Sequence, residues 1–479
     1  MKHIVYVTGE AAPFAVSGGL GDVMGALPRA VRRLRGRETA VSVILPLYGS
    51  VATEWRGRMR RVFSGEFSLA WRRVSFAVHR LSLSGVEYLF VEHPRYFARE
   101  AMYGEFDDGE RFAFFGRAVL EYLLGTDRIP DILHANDWQT ALLIVYLRTL
   151  YAHDPRARRI RTVLTVHNIE YQGRFSPDIL SDIFDLPPHH LGILEYDGAL
   201  NLLKGGMVMA DRVTTVSPRY AEELHDPAFA FGLAPIVASL TPRIVGITNG
   251  VDTACFDPGD ERALPRAYGR RDAEEGKAAS KAAVGEELRL PTRGSPLLLM
   301  VTRLTESKGI PLVLAALPAL LSLDIRLVVL GTGEERYEAA LREVEEKYPD
   351  KVRVLLRFDR DMSRKLYAAA DIFLMPSRTE PCGIAQMIAC RYGTVPVVHA
   401  TGGLADTVIP YGRPGGCGFW FSSYRKEALF DAVGDAVALY RAGDGRFAAL
   451  RTSCMSADFS WRRAAARYLS LYSELLEGQ

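Results

Sequence analysis

The chain carries almost no excess charge. Its 59 Lys and Arg stand against 57 Asp and Glu, a formal net of +2, which leaves no long-range field for wrapping a polyanion or lying on an anionic membrane. It also lacks any C-x-x-C pair. The five cysteines, at 255, 382, 390, 417 and 454, are odd in number and scattered, which argues against a thiolate zinc site and against disulfide staples and leads us to expect a reducing, cytoplasmic setting. No apolar run is long enough for a bilayer span, and Met1-Lys2 passes straight into a strand-like run with no space for a signal peptide. Long repeats, low-complexity tracts and basic aromatic-rich strips are missing too, so nucleic acid is not an expected partner.

What is present is length and alternation. At 479 residues the chain exceeds what one core organises, so two domains are expected. Short β-branched runs alternate with helical segments: HIVYV at 3–7, VSVIL at 41–45, EYLFVE at 87–92, DILHA at 131–135, RTVLTVH at 161–167 and RVTTVS at 212–217. A charged, Gly- and Pro-rich stretch from Asp257 to Pro296 follows the turn-like Asn249-Gly250, with one helix expected near Lys277 to Leu288. A second series then runs through PLLLMVTRL at 296–304, RLVVLG at 326–331, VRVLLRF at 352–358, DIFLMPS at 371–377 and TVPVVHA at 394–400. The pattern predicts two doubly wound α/β domains, 1–249 and 250–458, with ligands bound beyond the carboxyl ends of the strands. Residues 459–479 read as an amphipathic helix with Ala464, Ala465, Tyr468, Leu471, Tyr472 and Leu475 on one stripe, which must pack on something.

Residues just past the strands carry the chemistry. Gly18 and Gly19 in SGGLGDV let backbone N–H groups approach a phosphate at the head of a helix. The spacing is neither G-x-G-x-x-G nor Walker A, which disfavours dinucleotide oxidoreduction and P-loop hydrolysis. TGGLADTV at 401–408 repeats the theme in the second series, and the two turns together could hold a sugar and its diphosphate. Arg303 and Lys308 in TRLTESKG are two fixed cations of the kind that can replace a metal ion in stabilising a departing diphosphate. A D-x-D string, Asp359-Arg360-Asp361, is the competing metal candidate, and such strings are common in loops by chance. HANDW at 134–138 and TVHN at 165–168 place a carboxylate and an imidazole at strand ends, where they can bind sugar hydroxyls. His134 reads more readily as a structural residue. Glu380 in SRTEPCG precedes a proline, which aims its carboxylate out of the strand end, and Gly383 permits close backbone approach.

Taken in order, EAAPF, SGGLGDV, ERFAFF, HANDWQ, TVHNIEYQG, LNLLKGG, VTTVSPRYAEE, TNGVD, TRLTESKG, PSRTEPCG and TGGLADTV resemble the bacterial glycogen synthases and plant starch synthases over essentially the whole chain. The resemblance implies a GT-B fold, two Rossmann-like domains facing an interdomain cleft, with the terminal helix 459–479 returning to the first. It implies a retaining glucosyltransferase that takes ADP-glucose as donor and extends glycogen or maltooligosaccharides at the non-reducing 4-OH, with no cofactor or metal. Carried over by position, it puts Asp22, Asp137 and His167 around the sugar, Arg303 and Lys308 on the diphosphate, and Glu380 against the glucose. Backbone from Cys382 to Gly383 and from Thr401 through Gly402 to Gly403 would lie nearby, Asn249 would make a polar contact to a sugar, and Phe358 would stack on the adenine. Many members read K-T-G-G-L where this chain has Val16-Ser17-Gly18-Gly19-Leu20. The missing ammonium, which Lys204 of LNLLKGG could replace, leaves open a UDP-glucose enzyme of the same fold or a weakly active, glucan-binding regulatory homologue.

Overall fold

The computed structural model describes residues 1–36, 38–259 and 264–478. Arg37, residues 260–263 and Gln479 lie outside the described residues, so the last position of the expected terminal helix and part of the expected charged stretch are not characterised. The chain divides into two compact units, Met1–Gly250 with Trp461–Gln479, and Val251–Ser460.

The first unit is built on a nine-stranded sheet in the spatial order Ile244–Gly246, Arg212–Thr215, Arg161–Val166, Ile132–Asn136, His3–Val7, Ala40–Pro46, Val86–Glu92, Arg72–Leu83, Arg60–Leu69. The first seven run parallel, and their near-continuous apolar sequences are buried because helices cover both faces of a parallel sheet. The last two form an antiparallel hairpin. Its alternating burial, Arg-x-x-Phe-x-Gly-x-Phe-x-Leu on Arg60–Leu69, belongs to a sheet edge with one wet face, a pattern the strand expectation passed over. A small three-stranded sheet, Arg174–Phe175, Ala199–Asn201 and Glu195–Tyr196, stands apart from the main one.

The terminal helix Trp461–Glu477 packs on the helix Gly19–Arg35 and buries Ala464, Ala465, Tyr468, Leu471, Tyr472 and Leu475, an i, i+3, i+4 stripe. Its Tyr472 hydroxyl lies 2.6 Å from Nδ1 of His134. His134 Nε2 is 2.6 Å from the Thr165 hydroxyl, and burial holds the ring neutral with a pKa lowered to about 3. His134 is therefore a packed core residue that ties the sheet to the chain's last helix.

The second unit has a six-stranded sheet, all parallel, in the order Val352–Leu355, Arg326–Leu330, Leu297–Val301, Ile372–Met375, Val395–His399, Phe419–Phe421. The helix Ala273–Glu287 precedes it. Lys277 of that helix is buried, and its ammonium donates to the carbonyls of Tyr367, Ala368 and Tyr392 and to the Thr394 hydroxyl at 2.8–3.2 Å. Four acceptors around one desolvated ammonium make it a fixture of the fold.

Candidate active site

In the first unit the strand Ile132–Asn136 ends at Asp137, whose backbone sits at φ 57°, ψ −176°. That region is almost confined to glycine and costs on the order of 1–3 kcal/mol for another residue. The strain is held by the Asp137 N–H donating to Thr165 O at 2.9 Å and by the carboxylate accepting the His167 N–H at 2.7 Å. Burial pushes the Asp137 carboxyl up to about 7, against the pull of the His167 and Asn168 N–H groups, so the group is poised to change protonation near neutrality.

His167 ends the neighbouring strand. Asn136 donates through Nδ2 to the carbonyls of Val7 and His134, which fixes its amide with Oδ1 turned to His167 Nε2, 3.0 Å away. The imidazole therefore carries its proton on Nε2 and keeps Nδ1 as an acceptor. Burial keeps it neutral, with a pKa near 3. An acceptor nitrogen and a carboxyl with a raised pKa side by side are suited to sugar hydroxyls and to partial positive charge.

The glycine-rich turn beside them is organised by Glu10. Its buried carboxylate accepts from the Ser17 N–H at 2.6 Å, the Ser17 hydroxyl at 2.7 Å and the Gly18 N–H at 3.1 Å. A Cβ on Gly18 or Gly19 would meet nothing within 4 Å, so the protein's own packing does not demand these glycines. Asp22 lies exposed in the first turn of the helix that follows. Val16 is 46% exposed, with its methyls 2.9 Å from where a Gly21 Cβ would be. Lys204 does not replace a cation there: its ammonium donates to Gly192 O, Ile193 O and Glu195 O at 2.8, 2.9 and 3.2 Å, which occupies all three protons. Asn249 is buried with Oδ1 unpartnered among the described residues.

In the second unit the loops after three adjacent strands interlock through glycine. A Cβ on Gly309 would collide with Pro376 O, and one on Gly331 with Thr302 O. This close backbone approach, together with the Arg378 N–H donating to Ser307 O at 2.8 Å, brings Lys308 to Glu380. Lys308 Nζ lies 2.6 Å from Glu380 Oε2, which also accepts from the Ser377 hydroxyl at 3.0 Å. Glu380 is thus the counter-ion that orients Lys308, a role its place before a proline did not reveal. Arg303 stands exposed, with no ion pair or hydrogen bond from its guanidinium among the described residues. The second glycine turn backs onto the same loop: Gly403 N–H donates to Glu380 O at 3.1 Å, and a Cβ on Gly403 would strike Cys382 O. Thr401 stands in extended conformation just before the short helix Gly402–Thr407, and Gly383 has φ +71°.

Phe358 is 92% exposed beyond the strand Val352–Leu355, an aromatic face with no ring stacked on it among the described residues. The D-x-D string has a local explanation. Asp359 caps the helix Arg360–Ala369, accepting the Met362 N–H at 2.9 Å, and pairs with Arg357 at 3.0 Å, while Asp361 points into solvent. Among the described residues no group of three His, Cys, Asp or Glu side chains is placed to hold a metal.

Three groups went unseen in sequence: Glu10, Asn136 and Ser377. Each sits inside a motif already singled out, and each acts on a neighbour that only folding brings within reach.

Residues 3–239 match the family described as starch synthase catalytic domain, and residues 289–441 match glycosyl transferases group 1. The chain is similar to the glycogen synthase of Streptococcus equi, 41% identical over 478 residues, covering 99% of this chain and 100% of that one. It is 39% identical to the glycogen synthase of Alkaliphilus metalliredigens over 478 residues, with 99% and 100% covered. Among solved structures it resembles the catalytic domain of starch synthase IV from Arabidopsis thaliana bound to ADP and acarbose, with TM-score 0.90, 32% identity and 99% of both chains covered. Sucrose-phosphate synthase from Thermosynechococcus elongatus, with TM-score 0.62 and 17% identity over the whole of both chains, shares the GT-B fold.

Proposed function

We propose a donor, an acceptor and a route that proceed from one premise: the chain belongs to the glycogen synthase and starch synthase family of glycosyltransferases. The donor is ADP-glucose and the acceptor the non-reducing 4-OH of an α-1,4-glucan such as glycogen or a maltooligosaccharide. The observation that carries this is the uncompensated guanidinium of Arg303, among the described residues, on the loop that also holds a Lys308 already aimed by Glu380.

A nucleoside diphosphate gains negative charge as the glycosidic bond breaks. Arg303, which has no protein counter-ion among the described residues, gains most from that charge, and Lys308 adds a second positive centre whose direction is preset. Two fixed cations serve where a divalent ion would otherwise be needed, so no metal or other cofactor is invoked. Phe358 offers a ring for the adenine, and the N–H groups of the 382–383 and 401–403 turns serve the phosphates and sugar. Asp137 and His167 hold the glucose, the first sharing the charge of an oxocarbenium-like carbon and the second accepting a hydroxyl proton at Nδ1. The acceptor 4-OH attacks from the face the diphosphate leaves and passes its proton to a departing phosphate oxygen, which retains configuration. A reducing, cytoplasmic setting is supported by five free cysteines, and among the described residues no helix is long and apolar enough to cross a membrane.

The test is transfer of labelled glucose into glycogen from ADP-glucose and, separately, from UDP-glucose, each with and without EDTA. Incorporation from ADP-glucose that ignores the chelator is expected. Preference for UDP-glucose would overturn the donor assignment, and activity lost to EDTA and restored by magnesium would overturn the metal-free route.

A further inference from the structure

Downstream of His167 the chain builds a turn that presents an aromatic ring against its own conformational preference. Leu233 N–H donates to Ala230 O at 2.9 Å, closing a four-residue turn whose central positions, Phe231 and Gly232, have φ +48° and +90°. Left-handed values at both centres suit Asn, Asp or Gly at the first, and a bulky ring there is strained. Two side chains enforce it. Gln172 Nε2 donates to Phe231 O at 2.9 Å and Tyr196 OH to Gly232 O at 2.8 Å. Gln172 is itself locked, donating to Ile169 O at 3.1 Å and accepting from Asn201 Nδ2 at 2.7 Å. The result leaves Phe231 46% exposed and Tyr171, next to Gln172, 51% exposed.

We propose that Phe231, together with Tyr171, is a stacking platform for the α-glucan acceptor. The proposal rests on the glucan-transfer reading and adds to it where the polymer lies. Tyr171 is tied to the sugar-binding strand end, since its N–H donates to Asn168 O at 3.3 Å and the adjoining His167 N–H donates to Asp137. Sugar rings present C–H faces that pack on aromatic surfaces, and hydroxyls that donate to acceptors. The segments carrying the two rings expose Glu170 and Asp226, and the strand pair whose Tyr196 holds Gly232 exposes Glu195 and Asp197, the latter paired with Arg174 at 3.4 Å. Such a surface repels the phosphates of a sugar nucleotide and accepts the hydroxyls of a neutral polymer. The strain is retained at a binding surface, where a ring rather than a relaxed turn is what the ligand needs.

Retardation in glycogen-containing gels, which requires no turnover, is measured alongside the KM for maltoheptaose and for ADP-glucose. Phe231→Ala and Tyr171→Ala are each expected to weaken glycogen retardation and raise the maltoheptaose KM by about tenfold, with the ADP-glucose KM unmoved, and Phe231→Tyr to recover the binding. Phe231→Gly is expected to lose the same affinity yet melt no lower than the parent, because glycine suits the positive φ. Trp71→Ala, which removes a 78% exposed ring on the edge hairpin, should leave retardation unchanged. Parental glycogen affinity in both ring variants, or an equal loss in Trp71→Ala, would overturn the platform. Ring-dependent glycogen binding by a parent protein that transfers no glucose would instead sink the transfer reading and leave the platform standing.

Discussion

The two glycine-rich turns look alike in sequence, SGGLGDV and TGGLADTV, yet the protein holds them in opposite ways. The first rests on a side chain, the Glu10 carboxylate, and its paired Gly18 and Gly19 face open space. The second is wedged against backbone: Gly403 lies so close to Cys382 O that no Cβ fits, and Gly402 has φ +45°. The same paired glycines therefore mark an open surface in one unit and a packing requirement in the other. The charges differ likewise. The first unit's strand ends hold groups kept neutral or near-neutral by burial, His167 and Asp137, whereas the second presents the cations Arg303 and Lys308.

The contrast breaks most readily at the cations. Arg303→Ala is expected to lower turnover at saturating donor by about 100-fold or more without changing the melting temperature. Lys308→Ala should lose as much and also melt lower, since it leaves Glu380 buried without its counter-ion. Near-parental turnover in either variant would refute the assignment. Next come the glycines. Gly403→Ala should destabilise the fold by about 2 kcal/mol or more in a denaturant titration, while Gly18→Ala should unfold like the parent and raise only the donor KM. Equal stability losses would erase the distinction drawn between the turns. Val16→Lys should raise kcat/KM for the donor by about tenfold if a charge-assisted hydrogen bond is what the first turn lacks, since Lys204 is fully committed elsewhere.

A further effect concerns pH. The folded Asp137 carboxyl, at about 7, titrates above its unfolded value of about 3.9, so its contribution to stability is present below pH 4 and lost as pH rises through 7. His134 and His167, lowered to about 3 from 6.5, act with the opposite sign: their contribution is present above pH 6.5 and lost as pH falls toward 3. Asp137→Asn should therefore gain melting temperature relative to the parent between pH 4 and 8. A difference that stays flat over that range would show the carboxyl to be unshifted.

Much of this was legible beforehand. Eleven short apolar runs were expected to be strands, and strands stand at each of them, because a strand covered on both faces leaves a continuous β-branched signature. The edge hairpin Arg60–Leu83 was not seen, since its half-wet alternation is interrupted by Gly65 and by a register shift between Arg61 and Phe63. At the candidate site the ordered motifs named individual loops, but partners such as Glu10 to Ser17, Asn136 to His167 and Ser377 to Glu380 depend on rotamers and backbone directions that spacing does not encode.

The sequence by itself determined family membership and the parallel strands of both sheets, because burial periodicity and strand-end motifs are local properties written residue by residue. Only the tertiary structure decided what those motifs do: that Glu380 aims Lys308, that Asp359 is a helix cap, that Lys204 is spent on three carbonyls, and that Phe231 is forced outward. Hydrogen bonds and close approaches between residues far apart in the chain set charge state and orientation, and these exist only once the backbone has placed both partners.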